Sequence, residues 1–183
     1  MIIATQKRKE NIAEYLLYMW QIEDLIRAND LDIEKIEEKI INRYDITPEQ
    51  RKTMLEWYES LIDMMRREGI ASTGHLQLNK NIIILLADLH SRLLKEPQFT
   101  EYAAEYYKTL PFIVELRAKS GENMAGEIET CFNALYGVLI LKLQGKGLSP
   151  DTASAVKQIS RFIALLAHCH RLDSDDKLFK NEE

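Results

Sequence analysis

Punctuation is scarce in this chain. Seven glycines and four prolines among 183 residues exclude a fold of many short strands and tight turns and favour long helices. Cysteine is scarce too: Cys131 and Cys169 carry no CxxC spacing and no second pair, which leaves a single bridge as the alternative to free thiols. Both read as reduced thiols of a cytosolic protein. No apolar run approaches the ~20 residues that a membrane-spanning helix needs; the longest are Ile82 to Ala87 and Tyr136 to Leu141. The first ten residues turn charged before a signal-peptide core can form, so a cytoplasmic protein without a membrane segment is expected. An excess of positive charge is also missing. With 24 Lys and Arg against 29 Asp and Glu, the chain lacks the concentrated basic surface that nucleic-acid binding requires. The pairs Arg51-Lys52 and Arg66-Arg67 read as solvated helix faces.

What is present is an ordinary globular composition, 46% hydrophobic and 29% charged, which excludes disorder as the general state. Helix signals recur with explicit starts and stops. Residues 13–28 are periodic, and Asp32 can cap a short helix running to about Asn42. Thr47-Pro48-Glu49-Gln50 has the residues of a capping box with proline at the first helical position, and Gly69 stops the helix that follows. Ser72 or Thr73 opens a segment that runs to Glu96, before Pro97. A fifth helix spans about 99–119, with Pro111 inside it as a kink or break, and a sixth about 122–144. Ser149-Pro150-Asp151 opens a seventh that continues to about Leu172.

No segment alternates as a half-buried strand does, and the connections are short. The expected fold is therefore all-α, an antiparallel up-and-down helical bundle of about six or seven helices. It forms one domain over residues 1–172, followed by a polar tail, 173–183, that frays.

Two segments, EYLLYMWQIEDLIR at 14–27 and EIETCFNALYG at 127–137, resemble an uncharacterised all-helical bacterial family, a domain of unknown function from Bacteroidetes. The resemblance implies a helical fold over most of the chain and a bacterial cytosolic setting. It implies no activity, ligand or catalytic residue.

The residue that stands out is Glu23. On a helical wheel it lies opposite Glu14 and shares the face of Ile12, Leu16, Met19 and Trp20. An ionised carboxylate costs several kcal/mol to bury unless it is paired and hydrogen-bonded. Arg27, four residues on, offers a local ion pair. The functional alternative is a polar pocket in which Glu23 meets His90, which falls on the apolar stripe of Asn79, Ile83, Leu86, Leu93 and Leu94. Such a contact could fix a histidine tautomer for ligand or proton handling; a lone histidine on an apolar stripe is otherwise a satisfied core residue.

Other chemistry finds little support. Three residues before His75, His90, His168 and His170 stand Ser72, Ala87, Leu165 and Ala167, so the Glu-x-x-His pattern of di-iron bundles is absent. His168 and His170 diverge by about 200° on a helix. Cys131 lies on an apolar stripe with Ile128, Leu135 and Val138, where a thiol packs rather than reacts. No phosphate loop, nucleophile elbow or dinucleotide fingerprint occurs.

Gly126, Thr130, Asn133 and Gly137 form a stripe of small side chains on the sixth helix. Close packing by another helix is the plain reading, and a ligand groove with Asn133 as its polar contact is the functional one. The tyrosines, among them Tyr106, suit a core rim, a pocket or an interface. The sequence leads to a structural or protein-interaction module, with a homo-oligomer or another protein as partner. It leads away from an enzyme and expects no metal and no cofactor. The alternative is a small-molecule binder that uses Glu23, Arg27, His90, Asn133 and Tyr106 around an interhelical polar pocket.

Overall fold

A computed structural model describes residues 2–119 and 125–179. The described residues contain helices and no strand: α1 (Ile2–Glu10), α2 (Ile12–Ala28), α3 (Ile33–Lys39), α4 (Pro48–Arg67), α5 (Gln77–Lys95), α6 (Thr100–Lys119), α7 (Glu127–Leu143) and α8 (Pro150–Ser174), with short 3-10 turns at Ile41–Arg43 and Pro97–Phe99. None of these helices is long and apolar enough to cross a membrane. The chain divides into two compact units, one of residues 1–9 and 14–81, the other of residues 10–13 and 82–183.

In the first unit, local chemistry sets the ends of the helices. The Asp32 carboxylate accepts from the amides of Glu34 and Lys35, and Thr47 and Gln50 form the expected reciprocal box, 3.2 Å from the Gln50 amide and 3.0 Å from the Thr47 amide. Gly69, at φ +68°, provides the left-handed turn after α4 that glycine adopts most readily. Leu16, Met19, Trp20, Ile26, Ile36, Ile41, Met65 and Leu76 are fully buried there.

Three boundaries differ from the sequence reading. Helix α1 precedes the periodic segment; its apolar content is too low to give a stripe, and it is tied down by Lys7 on Glu14 at 3.1 Å and by Arg8 over the Tyr15 ring. Helix α5 begins at Gln77 rather than near Ser72 or Thr73, and the amides at its start are taken by two side-chain carboxylates, one from α2 and one from the residue that follows α4. Leu76 N–H donates to Glu23 at 2.9 Å and Gln77 N–H to Glu68 at 2.7 Å. Helix α7 begins at Glu127 after Gly126 as N-cap; the expected start at Glu122 lies outside the described residues.

In the second unit α6, α7 and α8 pack on one another. The later part of α5 joins them through His90, whose ring lies 4.7 Å from that of Tyr106 and 5.7 Å from that of Phe162. Helix α6 runs through Pro111 without a break. Ser149 caps α8 by accepting from the Thr152 amide at 3.2 Å. Beyond Leu172, Asp173 pairs with Arg92 at 3.1 Å, and the Phe179 ring lies against Phe99 with the Arg92 guanidinium over it.

Candidate functional site

Glu23 is wholly buried (0% exposed), and its carboxylate is satisfied by donors from the α4–α5 connection rather than by the expected partners. Oε1 accepts from the Leu76 amide at 2.9 Å and from Asn79 Nδ2 at 2.7 Å, while Oε2 accepts from His75 Nδ1 at 2.6 Å. Three donors on one carboxylate are what make its burial affordable. Since an ionised carboxylate only accepts, His75 donates from Nδ1, and in the neutral imidazole the lone pair is then on Nε2. The ring is held flat against Trp20, centroids 4.0 Å apart and planes 13° apart. The remaining buried atom of the cluster, Asn79 Oδ1, takes no donor among the described residues.

Arg27, expected to pair with Glu23, instead fastens the loop that carries His75. Its guanidinium donates to Asp24 at 2.7 Å, to the Ile70 carbonyl at 3.3 Å and to the Gly74 carbonyl. Wheel geometry placed Glu23 inward, but nothing in the 3.6-residue period points to a partner in a loop some fifty positions away. The available signal was His75 beside the first turn of a helix whose wheel puts Asn79 on the apolar side.

His90 belongs to a separate cluster in the second unit. Its Nδ1 meets the Tyr102 hydroxyl at 2.7 Å, and its Nε2 stands 3.9 Å from Glu127 Oε2. Tyr106 donates its hydroxyl to the same Glu127 oxygen at 2.7 Å, and Arg117 approaches Oε1 at 4.0 Å. Burial lowers the His90 pKa, and the Glu127 carboxylate only partly opposes this. Neutral His90 can therefore accept from Tyr102 at Nδ1, while its Nε2–H faces Glu127 from 3.9 Å, beyond hydrogen-bond reach. Burial raises the Tyr102 and Tyr106 hydroxyls far above the usual phenol value. It also pushes the Cys131 thiol up to about 12 and that of Cys169 to about 11, so neither cysteine offers a thiolate.

The small-residue stripe of α7 is not filled by another helix. Thr130 is buried and returns its hydroxyl to the Gly126 carbonyl at 2.9 Å, but Asn133 and Gly137 are exposed and line a groove. That groove, about 760 Å³, runs between the second half of α6, the middle of α7 and the first half of α8. Phe112, Leu116, Val138, Leu141, Val156 and Ile159 give it an apolar wall, and Asn133, Ser149, Asp151, Thr152 and the Glu115–Lys119 pair give it a polar border. A Cβ added at Gly137 would meet nothing within 4 Å. The glycine is there without any tight contact to explain it, and its missing side chain is part of the open space.

Of the candidate ligand-binding residues Glu23, Arg27, His90, Asn133 and Tyr106, Asn133 alone borders the groove. Glu23 and Arg27 support the His75 loop, while His90 and Tyr106 share the Glu127 cluster. Among the described residues no three His, Cys, Asp or Glu side chains are grouped so as to hold a metal ion. Neither the curated proteins nor the solved structures contain a match to this chain. Over residues 1–177 the sequence does match a family model, and the chain belongs to that family, described as a domain of unknown function (DUF4924).

Proposed function

We propose that this protein is a small-molecule-binding helical protein whose site is the α6–α7–α8 groove, and that its ligand is largely apolar with one hydrogen-bonding end. The observation that carries this reading is the groove itself. Its volume of about 760 Å³ falls within the ~300–1,000 Å³ of small-molecule sites, as does its lining of apolar walls with a few polar groups. The binding alternative read from the sequence is kept, but its location moves from Glu23 and His90 to the wall that holds Asn133. The buried free thiols Cys131 and Cys169 favour a reducing, cytoplasmic setting. Short connections between α5, α6, α7 and α8 favour an antiparallel up-and-down order for the second unit.

The test fills the groove without harming the helix. Gly137 has unstrained helical backbone and free space at its Cβ position, so Gly137→Leu should preserve folding while occupying the ligand's volume. The probe is the fluorescent apolar anion 1-anilinonaphthalene-8-sulfonate, titrated into native protein. Saturable binding near one site per chain, weakened about tenfold or more by Gly137→Leu, supports the reading. Absence of saturable binding, or binding indifferent to the substitution, overturns it.

A further inference from the structure

The first unit contains a second chemical device, independent of the groove. His75 has Nδ1 committed to the buried Glu23 carboxylate at 2.6 Å. Its side chain is 26% exposed, and its Nε2 is not among the buried unpartnered atoms of the described residues. That nitrogen therefore reaches solvent, and in the neutral ring it is the one that bears the lone pair. Stacking on Trp20 removes the ring's rotational freedom, so the lone pair has a fixed direction. Carboxylate, oriented imidazole and open second nitrogen are the parts by which proteins prepare histidine as a nucleophile.

The surroundings suit one kind of electrophile. The loop leading into His75, residues 71–75, donates none of its five amides to any acceptor among the described residues. Arg27 is bonded to the carbonyls at both ends of that loop, Ile70 and Gly74. Free backbone amides beside a guanidinium are the donors that receive a tetrahedral oxyanion.

We propose that His75 is a phosphoryl-accepting histidine, modified on Nε2 by a small phosphoryl donor such as an acyl phosphate or a phosphoramidate. The Nε2 lone pair forms the N–P bond as the donor's P–O or P–N bond breaks. The leaving group departs with that bond's electron pair, as a carboxylate or, after taking a proton from water, as ammonia. No electrons are exchanged with an oxidant or reductant. The imidazolium formed in the step keeps its Nδ1–H on Glu23, whose negative charge balances the new positive charge on the ring.

Incubation of the full chain with potassium phosphoramidate tests this, with site-resolved mass spectrometry and ³¹P NMR as readouts. The expected product is an acid-labile N-phosphohistidine on His75, attached at Nε2. It should form about tenfold or more faster than at His168, an exposed histidine with no carboxylate orienting it. This comparison is internal to the native protein and needs no variant. Glu23→Gln adds a second arm. Its carboxamide can keep the bonds to Leu76 and Asn79 but presents an N–H to His75 Nδ1, which moves the imidazole proton to Nε2 and removes the lone pair. Imidazole ¹⁵N shifts should show the change of tautomer, and modification at Nε2 should fall about tenfold. Modification of His75 no faster than of His168, attachment at Nδ1, or a Glu23→Gln protein with reversed tautomer and undiminished modification overturns the proposal.

Discussion

At the residue scale, Glu23 shows how a side chain that offends one helix can organise another. It sits in the middle of the buried face of α2, yet its three hydrogen bonds fall on His75, Leu76 and Asn79, so that it serves as a cap for α5 supplied from outside. Removing it strands the Leu76 amide, the Asn79 amide and the His75 proton together. Glu23→Ala should cost about 3–5 kcal/mol, the range for losing one partner of a buried charged network. Glu23→Gln retains two of the three acceptor bonds and should cost about 1–2 kcal/mol. Urea unfolding followed by tryptophan emission measures both, since Trp20 stacks on His75. If Glu23→Ala costs less than about 1 kcal/mol, the network is incidental to stability. The wheel made the burial of Glu23 legible from sequence. The identity of its partner was not, because Arg27 one turn away satisfied every local criterion and the real donors are tertiary.

At the element scale, caps and stops were legible and the behaviour of irregular positions was not. Asp32, Thr47 and Ser149 each cap the helix that their side-chain chemistry indicates, because an N-cap is decided within four residues. Pro111 was open to a kink or a break, yet α6 is continuous from Thr100 to Lys119. The proline is exposed, so its ring meets solvent rather than a packed neighbour, while Tyr102, Tyr106, Thr109 and Ile113 anchor the opposite face. The helix still lacks the bond that an amide at 111 would give to the Tyr107 carbonyl. Pro111→Ala should therefore stabilise the protein by about 1–3 kcal/mol, seen as a higher urea midpoint with an unchanged slope. An unchanged or lower midpoint would mean that the local backbone has adapted fully to proline. The stripe on α7 carries the complementary lesson. Small residues at helical spacing predict that something approaches closely, but the same pattern leaves a groove when nothing does, and only the arrangement of α6 and α8 decides between them.

At the scale of the whole molecule, the chain divides into two compact units. They share α5, which passes from one to the other between Asn81 and Ile82, and a helix without a composition shift or a glycine gives sequence no boundary to read. Global stability should nevertheless report on one residue of the second unit over a defined pH window. Burial lowers the His90 pKa from its ordinary 6.5, with Glu127 as the smaller opposing influence. Across the interval from 6.5 down to the native value, the unfolded chain binds a proton there that the folded chain refuses. Stability attributable to this group is fully present above about pH 6.5 and is lost as pH falls toward the native pKa, with a slope of at most about 1.4 kcal/mol per pH unit for one proton. The other charged or titratable groups around the ring are Glu127, Tyr102, Tyr106 and Arg117, and neither the tyrosines nor the arginine changes charge in this window. Urea midpoints measured between pH 5 and pH 8 should thus be flat at the upper end and decline at the lower. His90→Gln, which can still bond to the Tyr102 hydroxyl, should remove most of the decline while lowering stability at pH 8. A decline that persists unchanged in His90→Gln would assign the proton uptake to the carboxylates instead.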